Sequence, residues 1–552
     1  MNLSTISGAI LPIVNGTPIK VNAENKDSDT PISRQGSNIT LSSQSMQSLT
    51  QNSYVYSAPE RITRLTFSQP AEVSNSTKQF AQTSLNTHSG VSLTGGALRL
   101  SELAGSGNNS YEQDIRQYSK YKNSQDSSES QNTINIDGFQ DLKYDKDSHL
   151  NLKLKTKDGD TIDFSLQAYT GSGENSDKER VSFKGVKVSY EFEGKLSTEE
   201  KKQLDAFSQN IDSMVKQLSS SKDFDFNQLD LTSLTSFSDI DISFKPSGFD
   251  SRTDTELKLS YQDTQTERSI DVDFLGHTST LNIDKTSIGV DAKGKQKQDG
   301  LQQYLDILDS SAREAHAEDS ASQLMKNIFE AGFKGLGLEE EESKNTKPED
   351  AGKIILNNLQ TDAEKEIHDK TLVPLPDFDF TFDSKIEKPN EENKPDEYQG
   401  FKVDLSLNTE LASDSTGYHV TATQTQKFEL SGAYYSPLDG LEKPDFEKGN
   451  YKYTELERSS EKVTTVKTEQ GKLVSAMVAE SGENHSTTLE YRMGKLVDEN
   501  EDNSRFLEVT DYTQLALQES GLQSKELLKT VVIDPFEVNQ ASKDTNTLSI
   551  TD

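Results

Sequence analysis

The sequence predicts an α+β fold, in which antiparallel sheets of hairpins and meanders pack against helices after a long disordered N-terminal tail. Residues 1–132 are polar and show no sustained periodicity, whereas many later runs alternate apolar and polar residues and several have the i, i+3, i+4 spacing of helices. We therefore divide the chain into a disordered tail (1–132), a hairpin-plus-helix module (133–250), a hairpin and helical module (251–385), an antiparallel strand-rich module (397–497) and an acidic, mostly loose tail (498–552).

Composition excludes several classes of protein. The 552 residues include 58 Lys and Arg against 92 Asp and Glu, a formal net charge of −34. This balance argues against binding to nucleic acids or anionic membranes, because both require a basic surface. Cysteine is absent, so disulfides, thiolate metal sites and cysteine nucleophiles are excluded. The seven histidines stand singly, without the spacing that places two imidazoles on one helical face.

The N-terminal tail carries long tracts of Ser, Thr, Asn and Gln. Such a segment buries too little apolar surface to offset roughly 1–2 kcal/mol of backbone entropy per ordered residue, so we expect disorder. The chain has no run of about 18 apolar residues, so no membrane-spanning helix is expected. The first residues lack a basic n-region, and their short apolar patch is broken by Pro12. We expect a cytoplasmic protein, or one exported without a cleaved signal peptide.

The first packed elements surround an acidic stretch that could be a calcium loop or a turn. Three carboxylates lie near Gly159: Asp158, Asp160 and Asp163. If this glycine took position 6 of an EF-hand loop, positions 1, 3 and 12 would hold Leu154, Thr156 and Ser165, which do not form the ligand set. Alternating apolar runs flank the Asp-Gly pair, which is a strong hairpin signal. We predict a hairpin turn and no metal site.

Helical spacing first appears after the third predicted strand, VSFKGVKVSYEFEGK. Ser197 and Glu200 are placed as a capping box, in which hydroxyl and carboxylate satisfy free amides at the helix start. A single apolar stripe follows: Leu204, Phe207, Ile211, Met214, Val215 and Leu218. We expect this stripe to pack on the sheet, because the apolar face of a sheet must be covered.

Further strands and helices alternate along the chain. We predict an extended segment with Phe224, Phe226, Ile240 and Ile242 pointing inward. We then predict a hairpin over 257–274 and helices over 301–315, 321–337 and 351–372. The helix over 321–337 ends in a glycine-rich stop at Gly332, Gly335 and Gly337. The motif DFDF at 223–226 recurs at 377–380 and hints at an internal duplication. Residues 398–495 indicate an antiparallel meander with one polar face and a turn at Ser481 and Gly482.

Two motifs carry a resemblance to known proteins. The T-x-D-G-D hairpin at 156–160, followed by the G-x-L-S-x-x-E helix start at 194–200, resembles uncharacterised proteins of Gram-negative bacteria over roughly residues 146–245. The resemblance implies a bacterial origin and a compact hairpin-plus-helix module. It implies no activity and no catalytic residue.

Catalytic motifs are missing from the sequence. It contains no nucleophile elbow, Walker A loop or H-E-x-x-H motif, and we assign no catalytic, cofactor-binding or metal-binding residue and no cofactor. We predict a non-enzymatic component of a protein interaction or assembly, whose partner is another protein rather than a nucleic acid. The alternative is a carboxylate-based hydrolase acting on polysaccharide, which needs two acids about 5–10 Å apart in a cleft. Aromatic walls around such a cleft would favour the hydrolase.

The acidic stretch also generates a prediction for calcium. Without EF-hand ligand positions, the carboxylates around Gly159 should attract Ca²⁺ only weakly, through their charge. Calorimetric titration of the whole chain should show no stoichiometric site tighter than about 10⁻⁵ M, the range of calcium sensors. A tighter stoichiometric site would contradict the assignment of a simple hairpin turn.

Overall fold

The computed structural model of the protein describes residues 61–68, 110–121, 134–220, 225–246, 256–287, 294–336, 372–414, 418–470, 472–513 and 532–536. All of them belong to one compact unit, Arg61–Asp552. Its strands are β1 (Arg61–Phe67), β2 (Ser110–Tyr121), β3 (Gln140–Thr156), β4 (Thr161–Glu174), β5 (Arg180–Glu193), β6 (Phe237–Lys245), β7 (Leu257–Asp263), β8 (Glu267–Phe274), β9 (His277–Asp284), β10 (Asp377–Asp383), β11 (Gly400–Ser413), β12 (His419–Ser436), β13 (Tyr451–Glu469), β14 (Lys472–Arg492) and β15 (Lys495–Asp511). Its helices are α1 (Thr198–Ser220), α2 (Gly294–Glu314) and α3 (Asp319–Phe333).

The strands pair into a single antiparallel sheet of fifteen strands, in the order β1-β2-β5-β4-β3-β6 and then consecutively from β7 to β15. The prediction of a mostly antiparallel, helix-containing fold is confirmed in this coarse form. The separate sheets that we expected are one sheet, because the predicted module boundaries fall between strands that pair with each other, β6 with β7 and β10 with β11.

One face of the sheet carries the main apolar core. Alternate residues of the strands from β3 to β12 point to this face, and the three helices contribute to the same cluster of buried residues. Each residue of the predicted α1 stripe is at most 2% exposed, which is worth about 1.5–3 kcal/mol per large side chain before the entropy cost. The capping box is also confirmed: Ser197 N donates to Glu200 Oε2 over 2.6 Å, and Glu200 N donates to Ser197 Oγ over 3.2 Å.

The end of α3 is tied to the sheet by a buried arginine. Arg268 of β8 donates from Nη1 to the carbonyls of Gly332 and Lys334, 2.8 Å in both cases, and from Nε to Asp263 over 3.1 Å. A cation is favourable at a helix C-terminus, where carbonyl groups lack partners in the helix. Within the part of the chain that the structure describes, no helix is long and apolar enough to cross a membrane.

Two parts of the predicted tails are strands. The disordered tail predicted over 1–132 is wrong for β1 and β2, which pair with each other and, through β2, with β5; residues 1–60, 69–109 and 122–133 lie outside the described residues. The loose tail predicted over 498–552 is wrong for β15, which pairs along its length with β14. Backbone pairing holds both segments in the sheet, and β2 also buries Ile115 and Tyr118, but neither segment has a sustained apolar period in the sequence.

Three local predictions also differ from the structure. Ser481 and Gly482 lie in the middle of β14 rather than at a turn, and the glycine faces Phe506 of β15. DFDF at 377–380 is strand, whereas Asp225 caps a short 3-10 turn by accepting from Asn227 N, so the described half of the first copy, Asp225 and Phe226, differs in structure from the second copy. Strand β9 was not predicted, and the predicted helix over 351–372 falls almost wholly outside the described residues.

The packing of α3 on β9 generates a prediction. A Cβ atom at Gly332 would lie 2.1 Å from Cδ2 of Leu281, so Gly332→Ala should destabilise the protein by about 1–2 kcal/mol, despite the higher helix propensity of alanine. Gly300 in α2 is the matched control, because its added Cβ would be no closer than 3.6 Å to Pro374. Gly300→Ala should be neutral or stabilising by up to about 1 kcal/mol. Denaturant unfolding measures both; equal effects would contradict the packing.

Candidate functional site: the uncovered face of the sheet and its edge strand

The acidic stretch around Gly159 forms a hairpin loop between β3 and β4. Gly159 has φ of +99° and donates to the carbonyl of Thr156 over 3.1 Å, so the loop is longer than the two-residue turn expected from an Asp-Gly pair. Asp160 accepts from Lys195 N over 3.1 Å, and Asp163 pairs with Lys153 at 3.7 Å. These two carboxylates therefore have structural roles. Asp160 belongs to the T-x-D-G-D motif, and its hydrogen bond with Lys195 N connects this motif to the G-x-L-S-x-x-E motif.

The face of the sheet opposite the helices is polar along continuous rows. One such row crosses fourteen strands in register, and each of its members is charged or carries a hydroxyl: Ser110, Glu191, Asp163, Lys153, Asp241, Ser260, Asp271, Thr280, Thr381, Asp404, Glu429, Ser459, Glu483 and Arg505. We call this surface the open face. At about 4.8 Å per strand, the row is roughly 60 Å long.

A first groove on the open face, the central groove, lies over β3 to β9 and has a volume of about 540 Å³. Its charged side chains pair across the strands. Lys258 lies 3.3 Å from Asp273, and the Thr280 hydroxyl donates to Asp271 over 2.8 Å. Such pairs on an exposed surface contribute little to stability, but they neutralise part of the charge of the groove.

Beside the central groove, a histidine, a serine and a glutamate come together without forming a catalytic triad. His149 Nε2 lies 3.2 Å from Ser243 Oγ and 3.4 Å from Glu256 Oε1, and the serine hydroxyl donates to the same carboxylate over 2.7 Å. A triad places carboxylate and nucleophile at opposite ring nitrogens. Burial alone would raise the pKa of Glu256, but the hydrogen bond from Ser243 and the nearby His149 hold the pKa below its ordinary value.

A second groove, the C-terminal groove, lies over β11 to β15 and has a volume of about 630 Å³. Asp404 and Glu429 are direct cross-strand neighbours in it, so their Cβ atoms lie about 4.5–5.5 Å apart. Asp404 accepts from the Thr381 hydroxyl over 2.6 Å and lies 2.8 Å from Lys402 Nζ. Two acids on adjacent strands could bring their carboxylates within the range of a hydrolase pair, but none of the described residues that line the groove is Phe, Tyr or Trp.

An aromatic cluster covers the open face next to the C-terminal groove. Tyr435 and Tyr451 pack with ring centroids 5.5 Å apart, and the loop between β10 and β11 folds over them. Glu397 in this loop is 6% exposed and accepts from the Tyr451 hydroxyl over 3.0 Å. Burial and this carboxylate raise the pKa of Tyr451. The loop thus covers the aromatic cluster and is held there by buried hydrogen bonds.

Strand β15 forms one edge of the sheet, and both of its faces are exposed for most of its 17 residues. Among the residues that the structure describes, no strand pairs with its outer side. Leu507 is 77% exposed and Val509 is 60% exposed, and both point to the open face. On the opposite face, Phe506 lies over Gly482 of β14, which fixes the register of the edge strand.

Three candidate functional features were not predicted from the sequence. They are the acid pair in the C-terminal groove, the edge strand β15, and two polar residues on the apolar face of β12. Val420 and Ala422 begin an alternation of apolar and polar residues in β12, which predicts apolar residues at positions 424 and 426. These positions hold Gln424 and Gln426 instead, and both are 0% exposed. That break in the pattern was the available signal. In the described ranges, no group of three or more His, Asp or Glu side chains is placed to hold a metal ion.

Comparison of the chain with protein-family models, with curated proteins and with solved structures found no match. The open face and the edge strand are therefore the features from which a function can be inferred.

One acid of the open face generates a prediction for pH dependence. Asp377 accepts from Thr409 N over 2.9 Å, but burial, with Asp284 and Asp379 nearby, raises its pKa to about 6. A raised pKa in the folded state means that folding favours the protonated acid, so its contribution to stability falls as the pH rises from about 4 through 6.

Asp377→Asn, which mimics the protonated acid, should match the wild-type thermal midpoint near pH 4 and exceed it at pH 7. Asp158→Asn, at an exposed hairpin position, is the control and should show no such growing difference. Thermal unfolding followed by circular dichroism at several pH values measures both. A constant difference for Asp377→Asn would rule out the buried acid as its cause.

Proposed function

We propose that the protein is a non-enzymatic component of a protein interaction or assembly, and that its edge strand β15 accepts an extended strand of a partner protein. The observation that supports this most directly is the length and exposure of β15, which has 17 residues against 7 in β1 at the opposite edge. An edge strand presents a row of backbone donors and acceptors that an added strand can pair with.

The charge of β15 indicates the chemistry of the partner strand. Six acids stand against two bases in it: Asp498, Glu499, Glu501, Asp502, Glu508 and Asp511 against Lys495 and Arg505. Two copies of β15 paired through their acidic stretches 498–502 would place like charges opposite each other, which is destabilising. The partner strand therefore carries basic residues opposite 498–502 and apolar residues opposite Leu507 and Val509, whose side chains supply apolar contact area.

The polysaccharide hydrolase remains the second candidate, supported by the spacing of Asp404 and Glu429 in the C-terminal groove. If this activity exists, hydrolysis should be lost in Glu429→Gln and retained in the β15 variants. The bacterial origin implied by the resemblance, and residence in the cytoplasm or export without a cleaved signal peptide, remain predictions that accompany the proposal.

Site-specific photo-crosslinking tests the edge strand directly. A photoreactive amino acid at position 507 of the full chain, expressed in its source cells, should give a discrete adduct with one protein. The yield of this adduct should fall at high salt, because salt screens the exposed charges that attract the partner. Position 386 is the matched control, because Ile386 is also apolar and is 58% exposed, but lies outside β15.

A second variant separates loss of binding from loss of folding. Leu507→Lys with Val509→Lys should change the free energy of unfolding by no more than about 0.5 kcal/mol, since both side chains are exposed, yet should remove the adduct formed from a photoreactive residue at position 505. Adducts of equal yield at positions 507 and 386, or no adduct at 507, would contradict pairing at β15.

A further inference from the structure

A short segment near the C-terminus is held against the apolar face of the sheet, far along the chain from its neighbours there. Residues 532–536 have the sequence VIDPF and are called here the anchor segment. Val532 and Ile533 are 1% and 2% exposed and belong to the main apolar core. The surface that receives the segment is formed by Gln303 and Glu314 of α2, Gln426 and Phe428 of β12, and Arg458 of β13; we call it the cradle.

Two glutamines, the buried Gln426 and the half-buried Gln303, accept hydrogen bonds from the backbone amides of the anchor segment. Gln426 Oε1 accepts from Ile533 N over 2.9 Å and from the Tyr304 hydroxyl over 3.0 Å, and Gln303 Oε1 accepts from Val532 N over 3.3 Å. Contacts of this kind recognise the segment through its backbone N–H groups. These contacts require only the backbone N–H groups of the segment. They do not depend on how the segment is joined to the rest of the chain.

Arg458 recognises the second half of the segment. Its Nη1 donates to the Pro535 carbonyl over 2.8 Å, its Nη2 donates to Glu314 Oε1 over 2.7 Å, and its guanidinium lies 5.1 Å from the centroid of the Phe536 ring. The same ring packs edge-on against Phe428 at 5.7 Å. Within the segment, Asp534 Oδ1 accepts from Phe536 N over 3.0 Å, which fixes the turn that presents the aromatic ring.

We propose that the cradle is a peptide-binding site, filled in a single chain by its own anchor segment, and that it accepts the anchor segment of a second copy of the chain. An empty cradle would leave Arg458 and Gln426 buried without these partners, which is costly. A segment from another copy restores each contact, so exchange has little enthalpic cost. Residues 514–531 precede the segment, and a stretch of that length can extend to about 60 Å, enough to reach a neighbouring molecule.

A complementation experiment tests exchange between copies. One full-length variant, Ile533→Asp with Phe536→Ala, keeps the cradle and loses the anchor segment. A second, Arg458→Ala, keeps the segment and loses the cradle. Light scattering after size exclusion should show each variant alone as a monomer and an equimolar mixture of the two as a 1:1 complex. Strand β15 is intact in every sample, so association through the edge strand would appear in all of them equally.

A peptide of residues 530–538 with a fluorescent label gives a measurement that does not need the Arg458 variant to fold. Its anisotropy should rise saturably with the anchor-disabled chain, and affinity for the unmodified chain should be at least tenfold weaker because the chain's own segment competes. A scrambled peptide should not bind.

The inference fails if the mixture stays monomeric, or if the anchor-disabled chain, folded by circular dichroism, does not bind the peptide. It also fails if peptide and scrambled peptide bind equally.

Discussion

The strand register is the constraint on which the rest of this structure depends. The three helices cover one face of the sheet, so every strand of the main core must send its apolar residues to that face. A slip of one residue in any strand would turn its whole apolar set into water. When the apolar residues of paired strands all point to one face, the polar residues between them line up on the opposite face. The same register therefore produces both the apolar core and the continuous polar rows. The grooves, the acid pair and the uncovered edge all arise from this arrangement.

The sequence predicts those elements that bury one side. Strands β4 and β8 and the stripe of α1 show clear periods because their apolar residues all meet the same core. Strand β15 gives no period, since neither of its faces is covered and its acids occupy both. Strands β1 and β2 bury only a few apolar residues, among them Ile115 of β2, and β9 begins with the polar run His277–Thr280, so none of the three shows a sustained apolar period. Periodicity reports burial, so a strand held by backbone hydrogen bonds escapes it.

The candidate sites escape sequence reasoning for a different reason. Asp404 and Glu429 are 25 positions apart in the chain and meet only because β11 and β12 pair in one particular register. In so acidic a chain, an acid in a groove and an acid in open solvent look alike in sequence. The cradle is different, because Gln426 interrupts the apolar positions of β12, although Arg458 lies on a strand whose core-facing positions are largely polar and gives no such signal. A polar residue within an apolar period, such as Gln426, is therefore a sequence signal for a buried site that an acidic motif does not give.

Beyond β6, the order of strands across the sheet is the order along the chain. In this part of the sheet each strand pairs with the strand before it and the strand after it in the chain. The arrangement is similar to that of a repeat protein, in which each unit contacts only its neighbours. The main core contains no residue of β14 or β15 within the described part of the chain. Loss of this last hairpin would make β13 the new border and leave the core closed, so lengthening or shortening the sheet by whole hairpins is a change that this architecture can tolerate during evolution.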